Sequence, residues 1–237
     1  MKNFPQQGKR EYVQRMFDAI SPRYDLLNRL LSFGIDRYWR QRTIRALQLQ
    51  TGQKLLDLAT GTGDLAFAAA RRHEIAILAL DISPGMLAVA GQKSTRQHRL
   101  KGSVYFTAAD AEHIPVSDNT FDAAMIAFGI RNVEQPHHAL CDIRRVLKSG
   151  GRLAVLEFSM PQREPLRWLY NFYFRRVLPF VGKRISGHGE AYTYLPESVL
   201  RFPEREAFVT MLIAAGFAEA SFQTLTGGIA TLYLARA

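Results

Sequence analysis

The sequence predicts an α/β domain: a mostly parallel, seven-stranded sheet with helices on both faces and an antiparallel C-terminal hairpin. Three observations lead there. Apolar runs of strand length alternate with helix-prone stretches from residue 54 to residue 160, which implies right-handed βαβ units. Several of these runs are continuously apolar, as strands covered on both faces are. A Gly-rich turn, Asp57-Leu-Ala-Thr-Gly-Thr-Gly-Asp64, separates the first run from the first helix of the series.

The elements follow in order. Glu11 to Leu31 is helix-prone but interrupted at Ser21-Pro22, where Ser21 suits an N-cap and Pro22 a first helical position. A helix around Trp39–Leu47 leads to Gly52. Strands are expected at Lys54–Ala59, Ile75–Asp81, Val104–Asp110, Phe121–Gly129 and Arg152–Ser159, with helices near Asp64–Arg72, Pro84–Lys93 and Gln135–Leu147. Gly150 or Gly151 is a natural left-handed stop for the last of these helices. Residues 161–202 break the alternation with aromatics and arginines: Trp168, Tyr170, Phe172, Tyr173, Phe174, Arg175, Arg176 and Phe180. A helix near Pro203–Ala215 and strands Phe217–Thr224 and Ile229–Ala235 complete the chain, the strands joined by a hairpin signal, Thr226-Gly227-Gly228.

Bulk properties narrow the class. The 237 residues, 47% hydrophobic, suffice for one sizeable α/β domain with an inserted lid. Cys141 is the only cysteine, so an intrachain disulfide is excluded and a reducing, cytoplasmic setting is expected. The first ten residues show no apolar signal stretch, and no apolar run is long enough to span a bilayer. The net charge of +10 is uneven: residues 1–52 hold 10 basic and 4 acidic side chains, and residues 161–190 hold 6 and 2. Basic surfaces suit nucleic acid, anionic membranes or acidic ligands, and equally a plain solubilising surface.

The Gly-rich turn points to a nucleoside cofactor. Gly61 and Gly63 let the backbone turn sharply and approach a ligand. Seventeen residues after Asp64, Asp81 ends the second apolar run, where a carboxylate can accept hydrogen bonds from both ribose hydroxyls. Gly61-Thr-Gly-Asp-Leu-Ala66 also satisfies a dinucleotide fingerprint, so the turn alone leaves NAD open. Two later features tilt the choice. Asp110 follows the third strand, where it can take an adenine amino group while Ala111 offers its backbone N–H. Arg144-Arg-Val-Leu-Lys-Ser-Gly-Gly-Arg152 joins a helix to the fifth strand. No Tyr-x-x-x-Lys pair is present to run hydride chemistry.

This order of motifs resembles the class I S-adenosylmethionine-dependent methyltransferases, which implies a Rossmann-like fold. Carried over, the donor is held by Gly61, Thr62 and Gly63, by Asp81, by Asp110 with Ala111, and beside Ala127. The chain is further similar to the ubiquinone/menaquinone biosynthesis C-methyltransferases. Tyr24-Asp25-Leu-Leu-Asn28-Arg-Leu-Leu-Ser32-Phe-Gly34 with Trp39 looks like one signature of that family, Arg145-Val-Leu-Lys148-Ser-Gly-Gly151 through Glu157-Phe-Ser159 like the other, and Phe128-Gly-Ile-Arg131-Asn132-Val133 is typical of it. Four positions depart: Leu27 stands where Met is usual, Asp36 where His is usual, Ser149 where Pro is usual, and Ala127 where Ser is often found. Asp36 puts the acceptor range in question; Ala127 leaves the backbone groups of the donor site intact.

The resemblance implies methylation of a ring carbon of a polyprenylated quinol, demethylmenaquinol to menaquinol, with a benzoquinol ubiquinone precursor or another aromatic or lipid acceptor as the alternative. A sulfonium donor is itself electrophilic, so no metal is expected, and the six histidines show no metal spacing. The acceptor reacts as a phenolate. Free phenols titrate at about 10, so a nearby cation is needed. Arg131 is the candidate, with a structural pairing to Glu157 or Asp110 as the competing role. Asn132 is a candidate to bind the same oxygen or to cap a turn, and Tyr24 to cover the sulfonium or pack. The organisation reads as a helical substrate-side cap, residues 1–52, and a donor-binding domain, residues 53–237, with an aromatic and basic lid at 161–202. Such a substrate implies transient membrane-surface contact and a peripheral position at the inner face of the membrane, and leaves a homo-oligomer open. A nucleic-acid-binding module is the rival from another class, but the arginines form no reading helix, so no nucleic acid is expected.

Overall fold

A computed structural model of the chain describes residues 8–177 and 189–237. The part of the expected lid at 178–188, with Phe180, lies outside the described residues. Helices α1 (Lys9–Ile20), α2 (Tyr24–Leu31) and α3 (Asp36–Leu47) precede the sheet, with a 3₁₀ turn at Ser21–Arg23 between the first two. Then follow β1 (Lys54–Leu58), α4 (Asp64–Ala70), β2 (Ala76–Asp81), α5 (Pro84–Ser94), β3 (Ser103–Ala108), β4 (Phe121–Ala127), a 3₁₀ turn at Ile130–Asn132, α6 (Pro136–Val146) and β5 (Leu147–Phe158). Helix α7 (Leu166–Phe172), a π turn at Tyr173–Val177 and α8 (Gly189–Arg201) interrupt the series. Helix α9 (Glu206–Ala214) and strands β6 (Glu219–Leu225) and β7 (Ala230–Arg236) close it.

The seven strands run in the order β3-β2-β1-β4-β5-β7-β6. The first five are parallel and β7 enters antiparallel to both β5 and β6, as the sequence predicts. Continuous apolar runs give strands buried on both faces: Leu55, Leu56 and Leu58 of β1 are all fully buried. One face packs under α6 and α9 through Leu140, Ile143, Phe208 and Leu212. The other packs under α3 and α4 through Trp39, Ile44, Leu65 and Ala66. Each Leu, Ile or Phe among these contributes about 1.5–3 kcal/mol by leaving water.

A third, smaller core lies beyond the strand ends. It joins Val13, Met16 and Ile20 of α1 to Met86 of α5, Tyr170 of α7, and Tyr194 and Val199 of α8. Helix α1 is also tied at both ends. The Lys9 ammonium donates to the carbonyls of Arg131 at 3.0 Å and Val133 at 2.7 Å. The Asp18 carboxylate accepts from the Ser83 hydroxyl and from the Gly85 N–H at 2.8 Å.

Two local expectations differ from the structure. Ser21 does not cap a helix; its hydroxyl donates back to the Asp18 carbonyl, and Ile20 holds the position before the 3₁₀ turn. The Gly150-Gly151 pair is not a helix stop either, because α6 ends at Val146 and Leu147 is already extended. Phe121 pairs with Leu147 and Ala123 with Arg152, so the residues between form a bulge inside β5. Gly150 lies there at φ +73°, and a Cβ on Gly151 would stand 2.8 Å from the Lys148 carbonyl. Those glycines serve the bulge.

Candidate active site

The parallel strands β1, β2 and β4 end at one edge of the sheet, where α/β folds place ligands. The Gly-rich turn wraps that edge. Gly61, at φ +56°, donates its N–H to the Asp81 carboxylate at 2.7 Å, and the other Asp81 oxygen accepts from the Ser83 N–H at 2.8 Å. Asp81 is buried but borders a cleft of about 80 Å³. Asp110, Ala111, Ala127, Ile82 and Met86 line the same cleft, and Arg10, Val13 and Phe17 of α1 roof it. Asp110 accepts from the Glu112 N–H and pairs with Arg10 at 3.1 Å. The cleft thus carries acids, Asp81 and then Asp110 with Glu112 and Glu134, beside apolar walls, which suits a ribose and a purine.

Gly63 and Thr62 sit differently. Gly63 precedes α4 at φ +79°, and a Cβ there would stand 2.9 Å from Phe67 and 3.0 Å from Phe106. It lines none of the described cavities that make up this site; close packing behind the turn requires it. The Thr62 hydroxyl donates to Asp25, and Lys93 reaches Thr62, Asp25 and Asp64 together. Thr62, Thr60, Asp64, Asn28 and Arg40 surround a pocket of about 50 Å³ beneath the turn. Behind it Asp57 is fully buried and accepts from the Thr60 hydroxyl at 2.6 Å, and burial pushes its carboxyl up to about 7.

Next to the cleft opens a largely apolar chamber of about 400 Å³. Met16, Ile20, Trp39, Phe158, Leu169 and Ile229 are among its walls. Phe17, Tyr24 and Phe128 line both spaces and therefore mark where they meet. Phe128 and Ala59 hold left-handed backbone, φ +57° and +48°, at the ends of β4 and β1. Non-glycine residues rarely take that conformation, and such strain clusters at functional sites.

Arg131 stands in the chamber wall. Its guanidinium pairs with Glu157 at 2.7 Å, donates to the Phe128 carbonyl at 2.6 Å, and lies 5.5 Å from the Phe158 ring centre. Both charges are buried. Burial pushes the Glu157 carboxyl up, and the adjacent guanidinium opposes that rise. The Arg131 Nε–H and the Asn132 Oδ1 are buried with no hydrogen-bond partner among the described residues. The Asn132 Nδ2 donates to the Phe128 carbonyl at 3.2 Å. Tyr24 packs edge-on against Phe17, and burial raises its phenol.

With this geometry, the chain matches the ubiE/COQ5 methyltransferase family over residues 5–236. It belongs to that family. It is 49% identical to the ubiquinone/menaquinone biosynthesis C-methyltransferase UbiE of Syntrophotalea carbinolica, across 92% of this chain and 91% of that one. It is 45% identical to the protein of the same name from Geobacter sulfurreducens, across 95% and 88%. It is 40% identical to the demethylmenaquinone methyltransferase of Bacteroides fragilis, across 99% and 96%. Among solved structures, an S-adenosylmethionine-dependent methyltransferase from Thermotoga maritima superposes with a TM-score of 0.61 at 19% identity, covering 94% of this chain and 98% of that one. That likeness shows the methyltransferase fold.

The structure gathers the named residues around two joined spaces. Asp81, Asp110, Ala111, Gly61, Ala127 and Asn132 face the cleft, Arg131 faces the chamber, and Tyr24 faces both. The pairing of Arg131 is with Glu157 and not with Asp110, which takes Arg10 instead. Lys9, Arg10 and Asp18 of this methyltransferase are not evident from sequence reasoning, because their partners lie at least 65 residues away. Among the described residues no three His, Cys, Asp or Glu side chains converge as a metal site, and no helix is long and apolar enough to cross a membrane.

Proposed function

We propose that the protein transfers the methyl group of S-adenosylmethionine to a ring carbon of a polyprenylated quinol, converting demethylmenaquinol to menaquinol. The observation that carries this reading is the junction at Tyr24 and Phe128: an acid-lined nucleoside cleft opens there into an apolar chamber whose wall holds a buried arginine. The relatives named for ubiquinone and menaquinone biosynthesis support it.

The lining of the cleft suits the donor. Asp81 keeps lone pairs for a ribose diol after accepting from Gly61 and Ser83, and a Cβ on Gly61 would meet only Tyr24, at 3.8 Å, so the turn leaves room at its inner side. In this reading Asp110 and Ala111 take the adenine edge. Gly61, Thr62 and Gly63 shape the turn, and Ala127 borders the methionyl side. The bound donor supplies an electrophilic methyl group.

The protein's residues prepare the acceptor. The guanidinium of Arg131 favours the phenolate form of a quinol hydroxyl by its positive charge, and it is not the base. Glu157 and the Phe128 carbonyl fix the guanidinium, leaving its Nε–H to reach an acceptor oxygen or a water beside it. Asn132 offers a second polar atom from the cleft side of the junction, and Tyr24 closes the junction. Alignment in a dry chamber provides much of the rate. Residues 1–52 act as the acceptor-side cap and 161–202 as its lid, and the protein works in peripheral, transient contact with a membrane.

The test is incubation with methyl-labelled S-adenosylmethionine and a reduced short-tailed demethylmenaquinol, followed by mass spectrometry. Label on the naphthoquinol ring carbon is the expected result. Label only on a benzoquinol acceptor would move the reading to a ubiquinone precursor, and Asp36, in the chamber wall, would be the first residue to exchange for His. Failure with both acceptors overturns the quinol reading.

A further inference from the structure

Large apolar side chains stand exposed around the mouth of the chamber. Phe33 (80% exposed), Ile35 and Leu169 line the chamber and also face solvent, so they form its rim. Trp168 (66% exposed) and Phe172 project from α7 with their rings stacked at 6.0 Å. Phe33 lies 6.2 Å from the Tyr173 ring, which brings the α2–α3 turn beside the end of α7. Phe33 holds φ +50°, a backbone state unfavourable for a bulky residue, so the fold presents this ring outward against a local cost. Tyr105 and Ile213, also exposed, belong to β3 and α9, which do not line the chamber. A contiguous exposed apolar patch marks an interaction site.

Basic side chains lie close to these residues along the chain. Arg37, Arg163, Arg167 and Arg176 are exposed, and none forms an ion pair with a carboxylate among the described residues. Of the nearby acids, Glu164 accepts from the backbone N–H of Trp168 at 3.0 Å and Asp36 pairs with Arg40 at 2.6 Å.

We propose that this rim is a docking surface for an anionic lipid bilayer. Trp168, Phe172 and Phe33 enter the interface, and the four arginines meet the head groups. Trp168 suits that boundary because its ring is apolar and its indole N–H can stay in water, Phe33 and Phe172 add apolar area, and basic side chains gain from an anionic surface. A second copy of the chain fits less well, because apposed rims would bring two arginine clusters together. The inference rests on the quinol reading in one respect: the chamber opens where a prenyl tail would leave the ring.

The test uses the full chain with vesicles of phosphatidylcholine alone or mixed with phosphatidylglycerol, read by co-sedimentation and tryptophan emission. Of the two tryptophans, Trp39 is buried and bonded to Thr226, so a vesicle-induced blue shift reports Trp168. Binding to the anionic vesicles with a blue shift is expected. Trp168→Gln with Phe172→Gln should weaken partition by at least about tenfold, and each of Arg163→Gln and Arg167→Gln by about fivefold at low salt. The thermal midpoint of the aromatic pair variant checks its folding. Its turnover on a vesicle-embedded long-tailed quinol should fall further than its turnover on a detergent-dispersed short-tailed quinol. Equal loss on both acceptors, no vesicle binding, or an emission shift on concentrating the protein without lipid would overturn the proposal. Vesicle binding is read without donor or acceptor, so a failure of the quinol reading leaves it measurable.

Discussion

The nucleoside cleft and the apolar chamber are neighbours built by opposite means. The cleft is made where successive strands end, from short contiguous segments: the turn after β1, Asp81 after β2, Asp110-Ala111 after β3 and Ala127 at the end of β4. Backbone N–H groups and tight glycines hold it. The chamber draws Met16 from α1, Trp39 from α3, Phe158 from β5, Leu169 from α7 and Ile229 from the hairpin, and side chains make its walls. Changes in the cleft should therefore disturb donor affinity and stability, and changes in the chamber should disturb transfer to the acceptor.

The sharpest test of that contrast is Arg131. Arg131→Ala should lower kcat by about 10³-fold, a loss typical of removing a charge-stabilising donor. It should also cost about 3–5 kcal/mol of stability by stranding Glu157. The double variant Arg131→Gln, Glu157→Gln should regain most of the stability, read by denaturant unfolding, and none of the turnover. Donor affinity by calorimetry should stay close to that of the wild type; a large loss there would erase the division between the two spaces.

Asp57 comes next, on the cleft side. Its folded pKa of about 7 lies above its ordinary 3.8, so its contribution to stability is complete below that lower value and is lost as pH rises through about 7. Between those limits the wild type should lose up to about 4 kcal/mol relative to Asp57→Asn. Urea titrations of both proteins across that range read the difference, and parallel pH curves would remove Asp57 as the cause. Gly63→Ala should cost about 2–3 kcal/mol through the left-handed backbone and the crowding against Phe67 and Phe106.

Smaller effects define the boundary. Asp81→Asn should weaken donor binding about tenfold, the order of one charged hydrogen bond, with the acceptor KM unchanged. Tyr24→Phe keeps the ring at the junction and removes only the hydroxyl, so a loss of about threefold or less in kcat is expected. A much larger loss would give that hydroxyl a direct part in proton movement.

The same contrast explains what could be read in advance. The succession of strands and the cleft were legible because their signals are local: a continuous apolar run, a glycine pair, an acid at the strand end. Glu157 was legible only as one of two possible partners for Arg131, beside Asp110, because both carboxylates stand near the ends of strands that finish at the same edge of the sheet; the pairing of Asp110 with Arg10 leaves Glu157 to Arg131. The ties of Lys9, Arg10 and Asp18 were not, since α1 reads as an ordinary amphipathic helix and nothing near it in sequence names the carbonyls and hydroxyl it reaches. Gly150-Gly151 misled for a related reason. Glycines after a helix commonly end it, but here the pairing of Phe121 with Leu147 starts the strand earlier and moves the pair into a bulge.

Helix α1 has a kinetic meaning as well. The space beneath it is about 80 Å³, whereas sites for ligands of this size enclose about 300 Å³ or more. Lys9 and Arg10 hold one end and Asp18 the other. Under the proposed reading a nucleoside must either displace α1 from those grips or pass through the junction at Tyr24 and Phe128. Exchange of the spent donor then depends on how firmly one short helix is held and on whether a quinol already fills the chamber.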